Sequence, residues 1–181
     1  NTKLALSVAY HYAQAIATKK VSANFSHTRR ELSDIMDKEN ISVLAQPIMD
    51  LKSGEIFGWE MLTRGPQNTP YYRPLDLFEF AYQADLLGRL ELLVIKKAFQ
   101  EISERSIREK VFINVTSLSL AQECFYHEML AYLRLYPGVK PRQVILEITE
   151  RHSIRDYRVM SEIMAKYRQH GFRFALDDAG A

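Results

Sequence analysis

Apolar residues recur every three or four positions over most of this chain and every second position over a few short stretches. Leu4, Val8, Tyr12 and Ala15 or Ile16 fall at helical spacing, which predicts an amphipathic helix over 4–17. A polar break follows. Thr28-Arg-Arg-Glu31 then has the form of a capping box, and Leu32, Ile35 and Met36 continue on one face of a second helix expected to stop near Asn40. From Ile41 the period shortens to two. Residues 41–51 and 55–63 read as strands, and the turn-rich connection 50–54 between them predicts a hairpin. Pro74 sits where a helix would begin, with Leu77, Phe78, Ala81 and Tyr82 as its apolar face. Gly88 is expected to break that run before Leu90, Leu93, Val94, Ala98 and Ile102 form a further helix.

Beyond this point the pattern alternates. Residues 110–115 predict a strand, 118–135 a helix ended by Pro137 and Gly138, and 143–149 another strand. A helix over 156–169 with Gly171 as its C-terminal cap precedes a last strand at 172–176. The order β, α, β, α, β argues for a parallel sheet with helices packed outside it, as a barrel or a doubly wound sheet. The chain therefore divides into an upstream helix or linker (1–27), a capped helix (28–40) and the main domain (41–181).

Composition changes this picture little. The chain has 181 residues, 47% hydrophobic and 25% charged, which suits a soluble globular domain. A net charge of +2 is too small to favour a nucleic-acid polymer or an anionic membrane. The single cysteine, Cys124, excludes an internal disulfide, suits a cytoplasmic setting and is expected to pack within its helix. No 18-residue apolar run occurs, and 4–17 is a poor signal peptide.

Candidate chemistry lies at the strand ends. Glu60 and Arg64 share one side of the Gly58–Gly65 stretch, with Met61 and Thr63 on the other. Asn114, Glu147 with Glu150, and Asp177 with Asp178 stand at the carboxyl ends of the strands that follow. In α/β folds that edge binds ligands. Glu147 interrupts an apolar strand, a costly position unless it is paired or bound to a cation. An asparagine satisfied by backbone is the alternative for Asn114, a turn cap for Asp177 and Asp178, and a salt bridge for Arg64. The five histidines show no metal-ligand pair, so an oxygen-only set favours Mg²⁺ or Mn²⁺ over zinc. Paired divalent cations are the common device for attack on phosphoesters, and Arg64 could clamp a phosphate oxygen. Glycine-rich phosphate loops and the Gly-x-Ser-x-Gly turn are absent from the sequence. Tyr71 and Tyr72 are a weaker candidate for stacking on a planar base.

Taken in order, these motifs resemble the EAL domain, the family of cyclic di-GMP-specific phosphodiesterases. Gln46-Pro47-Ile48 is similar to the family's opening strand, and Glu60-Met61-Leu62 with Arg64 to its naming motif and trailing arginine. Asn114 stands at the Asn of Asn-x-Ser, Glu147-Ile-Thr-Glu150 resembles Glu-x-Thr-Glu, and Asp177-Asp178-Ala-Gly180 resembles Asp-Asp-Phe-Gly. The resemblance implies a TIM-like (β/α)₈ barrel with an antiparallel first strand, of which about five strands lie in this chain. It implies hydrolysis of cyclic di-GMP to linear pGpG with two Mg²⁺ or Mn²⁺ ions. Glu60, Asn114, Glu147 and Asp177 would ligate metal, with Asp178 at the second ion. Glu60 and Asp178 would stand at the reacting centre, Arg64 and Gln46 at the ligand, and Glu150 would support a loop beside the metals and a homodimer interface.

Three departures stand out. Met61 replaces alanine but faces away from Glu60. Thr116 replaces serine and keeps the hydroxyl, and Ala179 replaces phenylalanine in the loop motif. The family's catalytic lysine and further ligands lie downstream of the Asp-Asp motif, so the chain reads as part of a longer protein. That parent is expected to carry an upstream sensory or regulatory domain, free in the cytoplasm or membrane-anchored. The alternative is an inactive EAL domain serving as a cyclic di-GMP receptor or protein-interaction module. A third reading is a structural dimer module without ligand.

Overall fold

The computed structural model describes residues 25–149 and 156–176. The helix expected over 4–17, Glu150, Asp177, Asp178 and Ala179 lie outside the described residues. Residues 25–37 form helix α1. Strands β1 (Ser42–Met49) and β2 (Ile56–Arg64) then lead to helices α2 (Pro74–Gln83) and α3 (Leu87–Glu104). Strand β3 (Lys110–Thr116) is followed by the short α4 (Ser117–Leu120) and by α5 (Glu123–Leu135). Strand β4 (Val144–Thr149), helix α6 (Tyr157–Arg168) and strand β5 (Arg173–Leu176) complete the order.

The five strands form one sheet in the order β1-β2-β3-β4-β5. β1 pairs antiparallel with β2, and every later pair is parallel. The hairpin turn is shaped by Asp50, whose carboxylate accepts the Lys52 and Ser53 backbone N–H groups at 2.8 and 3.1 Å.

Alternation along the strands decides which face is covered. Val111, Ile113 and Val115 of β3 are buried, as are Leu146 and Ile148 of β4 and Met61 of β2. They pack into one core with Leu90, Val94, Ala98 and Phe99 of α3 and with Phe125 and Met129 of α5. Leu32, Ile35 and Met36 of α1 join the same core. The residues between them in the strands (Glu60, Leu62, Phe112, Asn114, Glu147) are only partly covered and make up the opposite, concave face. Met61 therefore sits beneath the helices, 2% exposed, on the side away from Glu60. Among the described residues no helix is long and apolar enough to cross a membrane.

Five expectations need correction. The Thr28–Glu31 capping box does not start α1, because the helix is already formed at 25. Glu31 instead accepts a 2.6 Å hydrogen bond from the Tyr71 hydroxyl. The break before α3 lies at Ala84–Leu86, where Asp85 takes a left-handed φ of 56°, and Gly88 is inside the helix. Residues 118–135 are two helices, separated at Ala121 and Gln122. Cys124 is exposed, while its neighbour Phe125 supplies the core contact. The C-cap of α6 is Gln169, and Gly171, two residues further on, turns the chain toward β5 with φ +99° and its N–H on the Arg168 carbonyl.

α1 is tied to the domain by polar contacts as well as by its apolar face. Arg29 donates to the Ala84 carbonyl and Arg89 pairs with Asp37 at 2.5 Å, and in the turn just after the helix Glu39 pairs with Lys96. The Tyr71 hydroxyl is held above its ordinary titration range, near 12, by burial and then by the Glu31 carboxylate. Tyr71→Phe removes one charge-assisted hydrogen bond, worth about 1.5–3 kcal/mol. The domain's thermal midpoint is expected to fall by roughly 3–10 °C, read by circular dichroism or calorimetry.

Candidate functional site

Strand register assembles the site. Gln46 of β1 lies opposite Glu60 of β2, and Glu60 lies opposite Phe112 of β3. Two residues further along β3, Asn114 lies opposite Glu147 of β4, and Glu147 opposite Ala175 of β5. Side chains of directly paired residues project to the same side of a sheet. Gln46, Glu60, Asn114 and Glu147 thus share the concave face on four adjacent strands, with Leu62 and Arg64 continuing it along β2.

Asn114 carries the most informative detail. Its Oδ1 is buried and has no hydrogen-bond partner among the described residues. An orphaned amide oxygen costs about 1–3 kcal/mol of desolvation, and no described backbone group satisfies this one. A hard divalent cation is a natural partner for a carbonyl oxygen set opposite a carboxylate, as Asn114 is opposite Glu147. The donor chemistry therefore fits Mg²⁺ or Mn²⁺, although the described part of the set holds only Glu60, Asn114 and Glu147. Among the described residues no group of three His, Cys, Asp or Glu is close enough to hold a metal ion without further ligands.

Arg64 is half-buried at the end of β2. Its guanidinium donates to the Thr63 carbonyl at 2.8 Å and makes no ion pair among the described residues. The chain then doubles back: the Gly65 N–H donates to the Tyr72 carbonyl at 3.1 Å. A Cβ on Gly65 would lie 2.1 Å from the Tyr71 carbonyl oxygen, so only glycine fits beside Arg64. Tyr71 is 5% exposed and engaged with Glu31, which removes it as a stacking platform. Tyr72 remains exposed.

The sequence reading missed Glu91. This α3 residue is 1% exposed and reaches the end of β3. Its carboxylate accepts the Thr116 N–H at 3.1 Å and the Thr116 hydroxyl at 3.3 Å, and Ser119 adds a further bond. Burial raises its pKa to about 7 against the lowering effect of those hydrogen bonds. The signal was present: Leu87, Glu91, Val94 and Ala98 occupy one helical face, so an acid stands on the apolar stripe. A cavity of about 330 Å³ lies here, with Asn114, Thr116, Thr149, Glu91, Phe78 and Leu75 in its wall.

A half-open α/β barrel wall with an antiparallel first strand and oxygen donors at its parallel strand ends is the class that fold and site define. Comparison with known proteins makes it specific. The chain belongs to the EAL domain family, whose model matches residues 29–181. It is 30% identical over 170 residues to the probable cyclic di-GMP phosphodiesterase PdeB of Escherichia coli, covering 92% of this chain and 33% of PdeB. The chain thus spans about a third of that relative. Among solved structures, the EAL domain of Xanthomonas citri FimX in complex with cyclic di-GMP superposes with a TM-score of 0.74 at 15% identity. That match covers 87% of this chain and 62% of the FimX chain. The calcium and cyclic di-GMP complex of Klebsiella pneumoniae BlrP1 gives 0.64 at 24% identity, covering 78% and 35%.

Proposed function

We propose that this chain supplies the first half of the active site of a cyclic di-GMP phosphodiesterase. In the full-length protein it would hydrolyse one phosphodiester to give linear pGpG. The observation that carries this reading is the orphaned Asn114 oxygen, set beside Glu147 and on the same face as Glu60. Glu60, Asn114, Glu147 and Asp177 would hold one Mg²⁺ or Mn²⁺, with Asp178 at a second. Bound there, such ions lower the pKa of a water molecule and neutralise charge on the phosphate. Arg64 would bind a non-bridging phosphate oxygen, Gln46 would line the nucleotide pocket, and Glu150 would brace the loop carrying the metal side. Hydrolysis would join a water oxygen to phosphorus, break one P–O3′ bond and leave a proton on the departing 3′ oxygen. The remaining barrel strands, a homodimer interface, an upstream regulatory domain and a cytoplasmic setting complete the proposal.

The test is cyclic di-GMP turnover with Mg²⁺ by the full-length protein, followed by chromatography of the product. Glu60→Ala is expected to lower kcat by about a thousand-fold, at the upper end of losing one preorganised charge-stabilising group. Turnover indifferent to that substitution would sink the site assignment. Calorimetric binding of cyclic di-GMP without any turnover would place the protein with nucleotide receptors instead.

A further inference from the structure

We propose that Glu91 is a positioning residue for the metal-binding asparagine: its buried carboxylate anchors the turn at Thr116 and so fixes where Asn114 points. This rests on the metal reading above and extends it to a residue outside the strand-end set.

The geometry is specific. Thr116 is the last residue of β3 and the N-cap of α4, where its hydroxyl accepts the Ser119 N–H at 3.3 Å. The same hydroxyl donates toward Glu91, and the Thr116 N–H also ends on Glu91. One carboxylate, projecting from a different element, thus receives two donors of the residue at which strand becomes helix. Asn114 is two residues upstream, where the strand's outward alternation aims its side chain at the concave face. A shift at Thr116 would pass directly to Asn114 through a single intervening residue, Val115, which is locked in the core at 1% exposure.

Glu91 is an expensive choice for this task. It is buried, makes no ion pair among the described residues, and burial opposes its charge. A leucine would fit the apolar stripe of α3 better. What leucine would lack is an acceptor long enough to reach the Thr116 N–H. Polar groups placed behind a ligand to hold its orientation commonly change metal affinity by 10- to 100-fold when lost.

Reach and charge can be separated. Glu91→Asp keeps the charge and shortens the side chain by one methylene. Glu91→Gln keeps the length and an acceptor oxygen and removes the charge. In the full-length protein titrated with Mn²⁺ alone by calorimetry, Glu91→Asp is expected to raise Kd about ten-fold. Glu91→Gln is expected to stay within about three-fold of wild type. The reverse order, or equal Kd values for wild type and Glu91→Asp, overturns the proposal. A second readout is amide hydrogen exchange over residues 113–120 without metal, which Glu91→Asp should accelerate and Glu91→Gln should not. If the wild type binds no Mn²⁺, the metal reading fails on its own. The exchange experiment then decides whether Glu91 anchors the turn, and unchanged exchange in Glu91→Asp refutes it.

Discussion

Asn114→Leu is expected to leave the metal-free protein as stable as wild type or about 1 kcal/mol more stable, while lowering cyclic di-GMP turnover by roughly 10²- to 10³-fold. The two effects have opposite sign for one reason. Asn114 Oδ1 is buried, and its desolvation is offset by no hydrogen bond among the described residues. Leucine has a similar branched shape and no polar atom to strand. The same substitution removes the oxygen proposed to meet the cation, so the stabilisation that Mg²⁺ or Mn²⁺ gives the wild type should shrink or vanish. Thermal midpoints of both proteins with and without Mn²⁺, set beside kcat, check it. A variant that is less stable without metal yet keeps its metal-induced shift would show that Asn114 serves packing.

The second large effect concerns pH. Glu91 has an ordinary glutamate pKa near 4.5 when unfolded and about 7 when folded. Between these values the folded protein holds a proton that the unfolded chain has released, so raising the pH favours unfolding. This contribution is fully present below pH 4.5, declines through pH 4.5–7, and is exhausted above that window. The shift corresponds to roughly 3 kcal/mol. Glu91→Gln cannot titrate and should lose this decline. The difference in urea-unfolding free energy between wild type and Glu91→Gln, followed from pH 4.5 to 7.5, isolates the group, because the other carboxylates are common to both. A difference independent of pH would show that Glu91 titrates normally.

Much of this architecture can be read from the chain, and the exceptions have physical causes. Period-two alternation in 56–64 separates Met61 from Glu60, and both lie as that alternation requires. Pro74 opens α2 at its first position because a missing N–H costs nothing there. The break at Asp85 escapes notice because an aspartate in the left-handed region leaves no glycine to mark it. The split at Ala121 and Gln122 is equally silent, since both residues suit a helix. The strand-end acids follow from spacing of about one βα unit, but their shared face is visible only in the register. Glu91 escapes because an acid within a helix usually reads as a solvated residue, and its partner Thr116 is distant in sequence.

The sheet's spatial order repeats its order along the chain, β1-β2-β3-β4-β5. From β2 onward each described strand therefore finds one neighbour already synthesised when it leaves the ribosome. The hairpin can form first as a template, and each following βα unit adds to a prepared edge with little loop closure. Glu60, Asn114 and Glu147 would then come into place one strand at a time, in the direction of translation.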